Sequence, residues 1–180
     1  FGINVSGHVQ SEKGIGQSIR KNLKILNEIK VPHVVNSIFD QGSENSVDCS
    51  EFSNHIGNPF PINLVHVHPP GLYQLPSLFG ADYFKSKYNI AYWVWEQEQV
   101  PPDWIPYFDY FDEIWTPSNY SKTIFGQYTK KPVICIPHYI SQPSEHIEII
   151  DEVKKQKLEG KFVFLFIYDG HSSGFRKNIL

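Results

Sequence analysis

The chain has 180 residues, of which 41% are hydrophobic and 19% charged, a composition suited to one well-cored globular domain and unlike a disordered chain. A formal net charge of −3 and a pI near 6.2 provide no electrostatic footprint for nucleic acid. No apolar run approaches the roughly 20 residues that span a bilayer, and residues 1–16 lack the basic-then-apolar order of a secretory signal.

Short β-type runs alternate with amphipathic helical stretches, which predicts a mostly parallel sheet covered by helices on both faces, an α/β Rossmann-like fold. Gly2 to Gly7 is the first strand. From Gly16 to Ile29 the apolar residues Ile19, Leu23, Leu26 and Ile29 recur at helical spacing. Pro32 resets the chain, and Val34 to Ile38 is the second strand. Residues 41–59 are rich in Ser, Asn, Gly and Asp and read as a long surface loop. Ile62 to His68 is a third strand closed by Pro69, Pro70 and Gly71, followed by a weak helix over Tyr73 to Phe79. Tyr88 to Trp95 is a fourth strand, and Pro102 begins a short aromatic helix reaching Tyr110. Glu113 to Thr116 is the fifth strand, and Ser118 is the expected N-cap of a helix to Tyr128. Pro132 to Ile136 is the sixth. A charged helix over 145–158 then leads to a very apolar strand at 161–168.

This pattern predicts a domain over residues 1–142, a linker helix over 143–160, and the first strand and loop of a second domain over 161–180. The chain opens at Phe1, contains no methionine and stops at Leu180 after a glycine-containing loop, so it is expected to be part of a longer polypeptide. The basic runs at Arg20–Lys24, Lys130–Lys131 and Lys154–Lys157 read as solvated faces or turns. Cys49 and Cys135 have no CxxC partner; Cys135 lies in an apolar β run and is expected to be a buried thiol, which favours a reducing cytoplasm. Peripheral contact with an anionic membrane at its inner face is left open, as is the oligomeric state.

Ligands of open parallel sheets bind outside the carboxyl ends of the strands, so the residues that follow each β run are the ones to inspect. After the first strand, Lys13, Gly14, Ile15 and Gly16 stand at the amino end of a helix, where free N–H groups favour an anion. The spacing matches neither a dinucleotide fingerprint nor a P-loop. His66 and His68 are expected on one strand face, as a sugar-binding histidine, as structural histidines, or as half of a metal site in a hydrolase, although further metal ligands are not recognisable. Trp93, Trp95 and Glu96 follow the fourth strand. Trp93 is expected in the core, whereas Trp95 and Glu96 are weighed between the core or surface and a carbohydrate pocket. His138 closes the sixth strand, and Arg176 and Lys177 could hold a diphosphate by charge-assisted hydrogen bonds.

The ordered set GINVSGHVQSEKGIGQSIR, INLVHVH, YNIAYWVWEQEQVPPDW, FDEIWTPSNYSKTIF, VICIPH and KFVFLFIYDGHSSGFRKN resembles the retaining glycosyltransferases of family 4, or group 1, which have the GT-B architecture. The resemblance runs through nearly the whole chain and is weakest from Gln41 to Pro59. It implies that this is the N-terminal, acceptor-side domain of a two-domain enzyme. Such an enzyme moves a hexose from a nucleotide-diphosphate sugar to a saccharide or lipid-linked acceptor, with no further cofactor. It implies that the turn at Gly14 to Gly16 approaches the donor phosphates and that Lys177 meets the diphosphate. The family often has an arginine where Ser172 stands, a role Arg176 would have to take. The family's paired glutamates, E-x7-E, would fall beyond Leu180, so no catalytic residue is assigned and the chain by itself is expected to be inactive. The competing expectation is a non-catalytic carbohydrate- or nucleotide-binding α/β module.

Overall fold

A computed structural model describes residues 1–52, 57–140 and positions 161, 162, 164 and 166. Six strands, β1 (Ile3–Gly7), β2 (His33–Ser37), β3 (Ile62–His66), β4 (Tyr88–Tyr92), β5 (Glu113–Thr116) and β6 (Val133–Cys135), form one sheet in the order β2-β1-β3-β4-β5-β6. Every pairing is parallel. The chain steps outward from β1 to β2, returns past β1 to β3, and then steps the other way. Strand order therefore reverses between β1 and β3.

Alternation along each strand divides the apolar side chains between two faces. On one face Val5, Leu64, Ile90 and Tyr92 meet Ile19, Leu23 and Leu26 of helix α1 (Gly14–Glu28). On the other, Val65, Ala91, Trp93 and Ile114 meet Leu75 of α2 (Gln74–Phe79), Trp104 and Phe108 of a 3-10 helix (Pro102–Tyr110), and Ile124 and Phe125 of α3 (Asn119–Phe125). Helices thus cover both faces, as right-handed crossovers running in two directions require. Trp93 is wholly buried among Phe108, Phe111 and Phe125, and its Nε1 donates to Val67 O at 2.8 Å. Ser118 caps α3 by accepting from Ser121 N at 3.1 Å.

The strand ends differ from expectation at the carboxyl edge. β3 stops at His66 because Pro69 and Pro70 begin a 3-10 turn (Pro69–Gly71), and β4 stops at Tyr92, just past its last pairing with β3. α3 ends at Phe125, before Tyr128. Cys135 is half-buried rather than buried because β6 is the sheet's edge; Cys49, within the segment between β2 and β3, is the buried thiol and donates to Val9 O at 3.3 Å.

Beneath the second face runs a ladder of amides. Asn4, Asn63 and Asn89 hold equivalent positions on β1, β3 and β4, in register. Asn4 Nδ2 donates to Asn63 Oδ1 at 2.9 Å, and Asn63 Nδ2 donates to Asn89 Oδ1 at 2.8 Å. The remaining amide groups reach main-chain atoms of Phe60, Tyr83 and Phe84. All three asparagines are buried, so each lost partner leaves a desolvated polar atom.

The chain divides into two units, Phe1–Ile140 and Ser141–Leu180. The linker helix expected at 143–160 lies outside the described residues. So does the strand at 161–168, apart from Lys161, Phe162, Phe164 and Phe166, which are exposed and belong to no strand. No helix among the described residues is long and apolar enough to cross a membrane.

Replacing Asn63 with Ala should lower stability by about 3 kcal/mol, read from urea unfolding, since it strands Asn89 Oδ1 and removes one partner each from Asn4 Nδ2 and from Tyr83 O, which keeps Asn58 Nδ2. A loss below about 1 kcal/mol would mean that the ladder is replaceable.

Candidate functional site

The reversal of strand order opens a crevice at the carboxyl ends of β1 and β3, where ligands of open α/β sheets bind. A cleft of about 460 Å³ lies there, lined by His8, Lys13, Ile15 and Asp40 from one side and Val67, His68, Pro70, Gly71 and Trp104 from the other. Two of its residues, Lys13 and Ile15, belong to the loop singled out in the sequence.

The loop's shape follows from close packing. Gly7 ends β1 where a Cβ would stand 2.9 Å from both His66 Cβ and Ile19 Cδ1, so β1 and α1 approach closely only without a side chain there. A Cβ on Gly16 would lie 2.1 Å from Ser11 O, which only glycine allows. α1 begins at Gly14 with no side-chain cap and no acidic residue in its first turn, leaving its amino end available to an anion. Lys13 Nζ stands beside it, 3.4 Å from Asp40 Oδ1.

Asp40 is the organising acid. Burial alone would raise its carboxyl, but the Ser11 hydroxyl at 2.8 Å, the Gly42 N–H at 3.0 Å and the charges of His8 and Lys13 bring it below the usual carboxylate range. It therefore stays ionised and offsets Lys13.

Hydrogen bonds fix the tautomers of the two cleft histidines. His8 Nδ1 faces Ile38 O at 3.2 Å, and a carbonyl only accepts, so Nδ1 carries a proton and Nε2 is the acceptor of that tautomer. His68 Nε2 accepts from Val94 N at 3.4 Å, so its neutral ring carries the proton on Nδ1. Burial holds His68 neutral, with its pKa lowered to about 4. Its ring stacks on Trp104 at 5.3 Å. The cleft thus combines one imidazole acceptor, one imidazole donor and an internally balanced Lys–Asp pair.

His66 and His68 do not share a face. His66 is wholly buried beneath α1, stacked on Tyr92 at 4.6 Å, with Nε2 3.2 Å from Asn22 Nδ2. The turn at Pro69 swings His68 toward Trp104 instead. His66 is a core residue, its pKa lowered to about 3 by burial and by the charges of His138 and His68. His138 also lies on the α1 side, with Nδ1 3.4 Å from Ser18 Oγ and 3.3 Å from the Tyr92 hydroxyl. That hydroxyl donates to Ile136 O at 2.9 Å. Trp95 packs on Trp104 at 4.6 Å and donates to Gln99 O, and neither it nor the exposed Glu96 lines the cleft. Arg176 and Lys177 lie outside the described residues. No three His, Cys, Asp or Glu side chains gather to hold a metal among the described residues. Sequence reading passed over His8, Asp40 and Trp104; the signal for the first two was their place just beyond the first and second strands.

Neither protein-family models nor curated proteins yield a match to this chain.

His66 and His68 make stability depend on pH. Both are neutral when folded but take up protons near pH 6.5 when unfolded, so their contribution is complete above 6.5 and is lost as pH falls toward their folded values. At pH 5 each should cost about 2 kcal/mol relative to pH 7. Urea unfolding of His68→Gln should show roughly half of the wild-type loss between those two pH values; an unchanged loss would rule out His68 as a source.

Proposed function

We propose that this chain is the acceptor-side half of a retaining glycosyltransferase that moves a hexose from a nucleotide-diphosphate sugar to a saccharide or lipid-linked acceptor. The observation that carries the reading is the cleft at the strand-order reversal, where His8 and His68, each with one ring nitrogen bonded to the main chain, line the same space as Lys13 beside the open end of α1.

The chemistry follows from that arrangement. A sugar hydroxyl donates to His8 Nε2 and accepts from the N–H of His68, so the pair orients a polyhydroxylated ligand. Lys13 and the first-turn N–H groups of α1 oppose the negative charge that grows on a departing diphosphate. Transfer with retention needs the acceptor hydroxyl held on the face from which the diphosphate leaves, which makes positioning the main task of this half. The reading assigns the paired glutamates, and most donor contacts, to sequence beyond Leu180. Arg176 and Lys177 belong to that donor side.

A non-catalytic carbohydrate- or nucleotide-binding module could use the same cleft, since nothing in its donor–acceptor pairing requires a second half. A hydrolase built on His66 and His68 loses its basis, because the two rings occupy different sides of the sheet.

The test is a panel of nucleoside-diphosphate hexoses offered to the 180-residue chain and to the same chain extended through its continuation. The extended protein should transfer hexose with the anomeric configuration kept, as read by NMR of the product, and the 180-residue chain should show no turnover. Inversion, or no turnover with any donor, overturns the transferase; sugar binding without turnover by the extended protein supports the binding module. His68→Gln should weaken sugar binding by about tenfold through loss of one buried donor.

A further inference from the structure

We propose that Arg20 is a positioning residue for the cleft, holding the β1–α1 loop in the shape that presents His8 and Lys13 to a ligand. The inference rests on the reading of the cleft as a phosphate- and sugar-binding site, and it assigns a role to a residue that does not line it.

Arg20 lies in the second turn of α1, half-buried. Its Nη1 donates to two carbonyls of the loop, Val9 O at 2.6 Å and Ser11 O at 2.8 Å. Among the described residues it forms no ion pair, so its charge is directed at main-chain oxygens. Hydrogen bonds from a charged donor are the stronger kind, and this one closes the loop back onto its own helix.

Gly16 makes the clamp feasible. A Cβ there would stand 2.1 Å from Ser11 O and 2.9 Å from Arg20 Nη1, so the missing side chain is the space that carbonyl and guanidinium share. The glycine chosen in the sequence as a phosphate approach thus also serves the clamp.

From Ser11 the constraint passes to the cleft. Ser11 is wholly buried; its Oγ donates to Asp40 Oδ2 at 2.8 Å and accepts from Lys13 N at 3.2 Å. Asp40 in turn holds Lys13 Nζ. On the other side of the clamp, Val9 follows His8 directly and its N–H bonds to Gly7 O at 2.9 Å. Fixing the Val9 and Ser11 carbonyls therefore fixes both residues that face the ligand. Such support, one layer removed from the ligand, decides whether a site is held to within the tolerance that binding needs.

The experiment uses the 180-residue chain, Arg20→Ala, and Lys13→Ala as a control, with pyrophosphate as the probe and ethylguanidinium as a replacement for the lost group. Urea unfolding first establishes conditions in which every variant is folded. In Arg20→Ala the amide signals of Gly14 and Gly16 should move without ligand and return with ethylguanidinium, and pyrophosphate affinity should fall by about tenfold and be largely restored. Ethylguanidinium should restore nothing in Lys13→Ala. Unmoved glycine amides in folded Arg20→Ala overturn the positioning role, as does lost affinity that ethylguanidinium leaves lost. If the wild-type chain fails to bind pyrophosphate, the reading of the cleft falls, and the glycine amides still decide the role of Arg20. Should Arg20→Ala fail to fold, Arg20→Lys takes its place, with the amide shifts again deciding.

Discussion

The asparagines of β1, β3 and β4 form the constraint on which the rest of the arrangement depends. β1 and β3 meet where strand order reverses, and no short connection fixes their register. Apolar packing alone discriminates weakly between neighbouring alignments two residues apart, because such a slip keeps each side chain on its face. A chain of buried amides does discriminate. Any slip separates Asn4 from Asn63 and leaves several desolvated donors and acceptors unpaired at once. With the register fixed, Gly7 and His66 end their strands side by side, and the residues after them converge on the cleft.

The two faces of the sheet then divide the polar work. On the α1 side His66, Tyr92, His138, Ser18 and Asn22 stack on or hydrogen-bond to one another in a packed layer, although His66 Nδ1 is buried there without a hydrogen-bond partner; the layer ties the chain after β6 to the first helix. On the other side, just past the strand ends, His8, His68 and the Lys13–Asp40 pair border open space. Residue types are similar in the two places. Whether the side chains are enclosed in packing or border the cleft is what separates a core network from a site.

Much of the fold is legible in the sequence because each strand is a short apolar run stopped by glycine, proline or a turn, and because α1 carries its apolar residues at helical spacing. Ser118 announces its cap in the same way. The site is less legible. Period-two reasoning puts His66 and His68 together, but it holds only while the chain stays extended, and Pro69 ends that condition. Trp95 and Glu96 stand just past a strand, yet neither lines the cleft, and Trp95 packs on Trp104, which does. Cys135 looks buried from its neighbours, whereas burial on a parallel sheet also depends on having strands on both sides. The asparagines were present as the second residue of INVSG, INLVH and YNIAY, but a polar residue in a strand ordinarily signals solvent, and their partners lie far away in sequence.

That distance bears on how the molecule is made. Asn4 and Asn63 are 59 residues apart, so β1 emerges from the ribosome long before its inner neighbour exists. Until β3 arrives, only β2 and α1 can shelter an apolar strand that will finally be covered on both faces, and one long row of its main-chain groups stays open. The β1–β3 pairing therefore cannot precede the synthesis of β3, and synthesis that slows between β2 and β3 would lengthen the period in which that row is open to the wrong strand.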